Sequence, residues 1–409
     1  MSTLEILFLY LKGFDKGTDP GILFVYRDES RVMIEHIEKN SIVRIFASDH
    51  AWIEGEAIRQ LNITATLDGM KIVVGLPDLH PGRGNPVGAA FFSKNMIYPY
   101  LIGNDVGCGI ALFQTSLNTA KAKRDKWAQK LNNLDSPWDG DIHAWLESCG
   151  LASSVHDSAH GTIGSGNHFA ELQIVEKVYC KQDFLDLGLD KKKLFLLVHS
   201  GSRGIGEDLL RNHTEKFGSG GLNEGTEEAR QYLAVHDVAT QWAKHNRSLI
   251  AKRFIQQLNS ECETVLDICH NSVEEVEIDG EPGWLHRKGA APSDKGPIVI
   301  PGSRGTLSYL VDPIGKQGMN LWSLAHGAGR KWDRKSCKER LKSQIAAKSL
   351  SQTELGGVVI CDDRDLLFEE APQAYKNIDK VIHDMQSEGL INVIATLRPL
   401  ITYKRRKTI

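Results

Sequence analysis

A chain of 409 residues with 41% hydrophobic and 25% charged side chains is long enough for a sizeable core, and it is too balanced for a disordered or fibrous protein. No apolar run reaches membrane-spanning length. The opening Met1-Ser2-Thr3-Leu4-Glu5 carries an acid where a secretory leader would be basic, which points to the cytoplasm and away from a membrane. A formal net charge of −3 means that nucleic acid would have to be bound by local patches, and seven unevenly spaced cysteines with no Cys-x-x-Cys argue against a disulfide framework or a zinc knuckle.

Residues 1–48 alternate apolar and polar stretches broken by Lys12-Gly13 and Asp19-Pro20-Gly21, a spacing that predicts a few short strands. Residues 50–61 have helical spacing with acids early, and they run into a buried strand at Lys71-Ile72-Val73-Val74-Gly75-Leu76. The Gly/Pro loop that follows, Pro77 to Gly88, either presents Asp78, His80 and Arg83 to a ligand or is only a rigid turn; its composition leaves the two even.

Between two apolar runs lies Gly103-Asn104-Asp105-Val106-Gly107-Cys108-Gly109-Ile110. A carboxylate and a thiol three residues apart, with glycines beside them, can turn toward one metal ion. Taken alone, the turn is better read as an aspartate capping its own backbone and a cysteine acting as a small hydrophobe. What shifts the weighing is that histidines recur in similar company elsewhere.

Residues 119–133 read as a Lys-rich helix with a solvated face. Gly164-Ser165-Gly166-Asn167-His168-Phe169-Ala170-Glu171-Leu172 leads into a strand expected to carry His168 and Glu171. A strand at Leu194–Val198 runs into His199-Ser200-Gly201-Ser202-Arg203-Gly204, a strand-end glycine loop where backbone N–H groups and Arg203 can bind phosphate. Residues 226–258 form the longest helix, read as scaffold with Val235, Trp242 and Leu249 on one face. His270 follows another apolar step, Arg287-Lys288 is a basic pair, and Ile298-Val299-Ile300-Pro301-Gly302-Ser303 repeats the strand-then-glycine pattern. His326 lies among Gly327, Ala328 and Gly329 with Arg330 four residues on; small neighbours let a bulky charged group approach the imidazole, and the arginine suggests phosphate chemistry. The tail, Lys404-Arg405-Arg406-Lys407, is the obvious basic patch. No internal repeat or linker emerges, which favours one intertwined domain.

In this order, Asp105-x-x-Cys108-Gly109, Gly166-Asn167-His168-Phe169-x-Glu171, His199-Ser200-Gly201-Ser202-Arg203-Gly204, His270-Asn271, Arg287-Lys288-Gly289-Ala290, Pro301-Gly302-Ser303 and His326-Gly327-Ala328-Gly329-Arg330 resemble the RtcB family of RNA ligases over roughly residues 65–404. The resemblance implies an α+β fold: one large domain over residues 1–409, central β-sheets flanked by helices, with a divergent segment at 1–48. It implies two Mn²⁺ ions held by Asp105, Cys108 as bridge, His168, His199 and His270, and a nucleophile, His326, that is guanylylated by GTP. Asn167, Glu171, Lys288, Ser303, Arg330, Tyr375 and Lys404 would form the guanylate pocket, and Arg203 a phosphate contact. The substrates implied are RNA with 3′-phosphate or 2′,3′-cyclic phosphate ends and RNA with 5′-hydroxyl ends. Pro77–Gly88 keeps an Asp-x-His-x-Gly pattern but has Arg83 and Asn85 where family members tend to be aromatic, a departure that suggests the branch linked to a release-factor-like protein.

Two other readings compete with a ligase. Paired metals serve a phosphoesterase or nuclease acting on RNA ends equally well. A catalytically silent RNA-binding protein is the third. A hydrolase has no use for a GTP-reactive histidine, and a silent binder should have lost ligands, so His326 and its pocket discriminate.

Overall fold

Two large sheets, mostly of antiparallel neighbours, organise the residues described by the computed structural model, 23–28, 31–48 and 51–406. The first runs in the spatial order Leu23–Asp28, Arg31–Glu38, Ser41–Phe46, Met70–His80, Val87–Ser93, Glu281–Lys288, Asn271–Ile278. The second runs Cys262–Cys269, Gly109–Asn118, Lys193–Ser200, Phe169–Val178, Ile391–Arg405, Ser308–Pro313, Ile298–Ile300, with Val358–Cys361 added in parallel to Ile391–Arg405. Helices lie against both, giving the expected α+β class. No helix among the described residues is long and apolar enough to cross a membrane.

The sheets share a core. Val74, Leu76, Phe92 and Leu285 of the first sheet pack in one buried cluster with Ile268, Ile300, Val311 and Ile391 of the second, and with Val381, Ile382 and Met385 of the helix Ile378–Ser387. On the other side of the second sheet, Ile250, Phe254 and Ile255 of the helix Glu227–Gln257 meet Ala111, Leu172, Leu196 and Val198. Burying a residue of this size contributes about 1.5–3 kcal/mol, so these layers fix where the strand ends fall.

The expected strand at 71–76 lies inside Met70–His80, and the helix expected from residue 50 forms as Gly55–Ala65. Three short strands occur between 23 and 46, while the Lys12-Gly13 break lies outside the described residues. Three expectations need correction. The Lys-rich segment forms a helix only over Arg124–Lys130 and buries Trp127 and Ala128, so it is more than a solvated face. In the long helix Trp242 and Leu249 are buried but Val235 is 45% exposed. The buried stripe runs Ala229, Tyr232, His236, Ala239, Ala243, Asn246, Ile250, the three-and-four spacing of a 3.6-residue turn, and Val235 sits beside it. Of the basic tail, Lys407 lies outside the described residues; Lys404 is buried, Arg405 pairs with Asp135 and Asp363, and Arg406 donates to the carbonyls of Ala128, Gln129 and Leu131, so these three are not a free patch.

Candidate metal centre and histidine site

Four strand ends of the second sheet meet at one edge. Gly109 faces Ser200 across one ladder and Cys269 across the other, and Phe169 faces His199. Antiparallel neighbours run in opposite directions, so two strand starts and two strand ends coincide there and bring Cys108, His168, His199 and His270 together. His168 stands just before its strand, Phe169–Val178, rather than on it. His270 is the single residue between Cys262–Cys269 and Asn271–Ile278, where the chain passes from the second sheet to the first.

Cys108 Sγ lies 3.4 Å from His168 Nε2 and 3.2 Å from His199 Nε2. Asp105 Oδ2 is 2.8 Å from His168 Nε2, and the His199 and His270 ring centres are 5.2 Å apart. Two groups result, Cys108–His199–His270 and Asp105–Cys108–His168, each with ligand atoms within 4.8 Å of one another and Cys108 common to both. Burial holds the His199 and His270 imidazoles well below their usual pKa, so both are neutral. Burial, with the Asp105 carboxylate beside it, pushes the Cys108 thiol up. Burial would also raise Asp105, but the charge and hydrogen bond of His168 outweigh it and leave that carboxyl well below the usual range. Two buried neutral imidazoles, a thiol and a carboxylate within reach of one another fit divalent cations, whose charge would favour the thiolate that burial otherwise opposes.

The scaffold helix does more than pack. Arg247, 1% exposed, donates through Nη1 to Gly107 O and Ser200 O, both at 2.8 Å, and through Nε to Asp267 Oδ1 at 2.8 Å. Its neighbour Asn246 accepts from Gly161 N at 2.7 Å and donates to Gly201 O at 3.2 Å. One pair of side chains thus ties the turns before Cys108, after His199 and before His168. Gly201 is required here for space, because a Cβ would strike the Asp105 carboxylate.

His326 follows the strand Ser323–Ala325, its ring centre 4.7 Å from that of His270. Its Nδ1 is 2.7 Å from Oδ2 of Asp78, a carboxylate with no exposure, and its backbone N–H donates to the same oxygen at 3.3 Å. A carboxylate can only accept, so Nδ1 carries the proton and the lone pair is on Nε2. Of the three residues proposed for the Pro77–Gly88 loop, Asp78 therefore serves the site. His80 hydrogen-bonds the Asp78 carbonyl, burial taking its pKa down to about 3, and Arg83 is exposed. Lys376 donates to the carbonyls of Pro77 and Leu79 and so helps hold this stretch in place.

Beyond the histidine, Arg330 pairs with Glu370 at 3.1 Å and lies over the Tyr375 ring, whose hydroxyl also bonds Glu370. Arg334 reaches Glu370 at 3.1 Å. Burial brings Lys404 down to about 8, with the charge of Glu370 opposing; burial raises Glu171 to about 7 while Thr402, Gln173 and Lys404 pull it back. Lys288 packs against Gly103 and within the field of Asp105, and Arg203 against Gly164 beside His168. Asn167 stands between Gly166, which lies against Arg334, and His168. Ser303 is the outlier: its hydroxyl meets Thr306, and of that turn it is Pro301, through its carbonyl and ring, that backs onto Gly327. Sequence reasoning missed Glu370, Arg334 and the Asn246-Arg247 pair. Glu369-Glu370 before Ala371-Pro372 was a visible signal for the first; nothing local marks the others.

This much buried imidazole makes stability depend on acid. His80, His160, His199, His270 and His286 all have folded pKa values depressed by burial. The unfolded chain binds their protons first, so metal-free protein should lose up to about 1.4 kcal/mol per histidine per pH unit below about 6.5. Glu171, raised to about 7, and Asp312, also raised by burial, work in the opposite sense, but His213 and His245 are lowered by burial too and add to the five. The melting temperature of the metal-free protein is expected to fall steeply from pH 7 to 5; a flat profile would contradict this protonation assignment.

A buried sulfur–imidazole–carboxylate cluster that could hold a metal ion lies beside a carboxylate-held histidine, at the junction of two sheets. The family model described as tRNA-splicing ligase RtcB matches residues 60–139 and 148–405. The RNA-splicing ligase RtcB2 of an Escherichia coli strain is 49% identical over 361 residues, covering 88% of this chain and 94% of that one. The tRNA-splicing ligase RtcB of Thermococcus kodakarensis is 28% identical, covering 91% and 97%, and the RNA-splicing ligase RtcB of Escherichia coli K12 is 28% identical, covering 86% and 95%. The chain belongs to the RtcB family.

Proposed function

We propose that this chain is an RNA ligase that joins 3′-phosphate or 2′,3′-cyclic phosphate ends to 5′-hydroxyl ends, using GTP and a histidine–GMP intermediate on His326. The observation that carries the reading is the Asp78–His326 pair: a buried carboxylate fixes the tautomer with Nε2 free, in van der Waals range of the metal-binding cluster. Family membership and the names of the relatives support RNA as substrate.

In the proposed sequence Nε2 of His326 attacks the α-phosphorus of GTP, the bond from that phosphorus to the α,β-bridging oxygen breaks, and pyrophosphate leaves. Asp78 steadies the cationic imidazole. An RNA 3′-phosphate then displaces His326 and takes the GMP. The 5′-hydroxyl of a second RNA attacks the 3′-phosphorus and GMP departs; a cyclic phosphate is first opened by water. Asp105, Cys108, His168, His199 and His270 would hold the metal ions, which supply Lewis-acid stabilisation of charge on the transferring phosphorus. Arg330, Tyr375, Glu171, Lys288 and Lys404, with Asn167 and Ser303, bind the guanylate, and Arg203 a phosphate; Glu370 keeps Arg330 and Tyr375 in place.

The test is intact mass after incubation with GTP: with Mn²⁺ the protein gains one GMP. By ligand type and affinity order the cluster also suits zinc, so Zn²⁺ is expected to bind and inhibit. Adduct with zinc and none with manganese, on metal-stripped protein, would assign the wrong ion.

The place in the cell proposed is the cytoplasm, as part of RNA repair or splicing, with a functional link to a release-factor-like protein. One intertwined catalytic domain spanning the chain is proposed with it.

A further inference from the structure

The helix Arg334–Lys342 carries five basic residues and one acidic among nine, in a chain whose net charge is −3. Its inner face is closed by Cys337 and Leu341, which are buried. Its first residue, Arg334, reaches Glu370 at 3.1 Å and lies against Gly166, so the helix starts at the mouth of the site. Lys338 and Lys342 share the single Asp365 carboxylate. Among the described residues Lys331, Lys335 and Arg340 have no acidic partner within ion-pair distance. Two of them lie over one aromatic ring: Lys331 Nζ is 5.2 Å and Arg340 Cζ 5.0 Å from the centre of the half-buried Trp332 indole, so a stacking base would take the place of one of them.

We infer that this surface is the track on which an RNA strand enters the site, with backbone phosphates on Lys331, Lys335 and Arg340 and a base against Trp332. Cations that track a backbone and an aromatic face that takes any base are the two components of sequence-tolerant single-strand binding. Unpaired cations release counterions when they meet phosphate, whereas Lys338 and Lys342 already have a carboxylate and gain less. The position follows from the chain: Trp332 lies between Arg330, at the guanylate pocket, and Arg334, at the site mouth. The inference rests on the RNA-ligase reading.

Fluorescence anisotropy of a labelled single-stranded RNA with a 3′-phosphate, titrated with full-length protein at several salt concentrations, tests it. Lys335→Gln/Arg340→Gln should weaken binding and flatten the slope of log affinity against log salt by about 1.4, roughly 0.7 for each phosphate that is no longer neutralised. Its GMP adduct should form at the wild-type rate, which also shows that the variant is folded. Trp332→Leu should weaken binding at least about fivefold with the slope kept. Wild-type affinity and slope in the double variant overturn the track, and unchanged affinity in Trp332→Leu overturns the stacked base; a surface serving a protein or a membrane would give both. Wild-type protein that binds no RNA, or forms no adduct, would instead bring down the ligase reading beneath.

Discussion

His326→Ala is expected to abolish both the GMP adduct and RNA joining, while leaving the joining of an RNA that already carries a 3′-guanylate cap. In the proposed sequence the last step uses the metal cluster but not His326, so the two activities should separate. The wild-type adduct should be labile in acid, because protonating the phosphoramidate nitrogen makes it a good leaving group, and stable in alkali. Asp78→Asn should keep the fold and lose the tautomer, since an amide can donate to Nδ1 and leave the proton on Nε2; loss of the correct tautomer in histidine–aspartate pairs costs on the order of 10⁴ in rate. A folded His326→Ala protein that still gains GMP would move the nucleophile elsewhere.

The second large effect is expected from Cys108→Ala. Cys108 is the only member common to both ligand groups, so its loss should weaken both at once, whereas replacing His168 or His270 touches one. Outer hydrogen-bond partners of metal ligands are already worth 10- to 100-fold in affinity, and a shared ligand should exceed that. Titration of metal-stripped protein should therefore show a loss of more than about 100-fold, larger than for either histidine. Full metal content and activity in Cys108→Ala would reduce the Asp105–Cys108 turn to a piece of packing.

The residues that are legible in sequence are those whose metal-ligating chemistry sits at the boundary of an apolar run. His199 and His270 follow the ends of apolar runs while Asp105 and Cys108 precede the start of one, and the antiparallel ladders bring those starts and ends to one edge. The sequence could not say that four runs would be neighbours; that depends on ladder register, which is set by long-range burial. Asp78 was visible as a candidate and undecidable, because its partner lies 248 residues away. Arg247 was invisible for a different reason: on a polar helix a buried arginine looks like any solvated one until its three acceptors are known. The basic tail misled in the opposite way, since Arg406 spends its donors on carbonyls that no local pattern predicts.

The central claim is that the protein seals RNA rather than trims it. Two RNA oligonucleotides, one ending in a 3′-phosphate and the other carrying a labelled 5′-hydroxyl end, incubated with the protein, GTP and Mn²⁺, should yield a joined product whose formation stops when GTP is withheld. Removal of the 3′-phosphate or cleavage of the strands, with no joined product at any GTP concentration, would contradict the account and assign the cluster to a phosphoesterase.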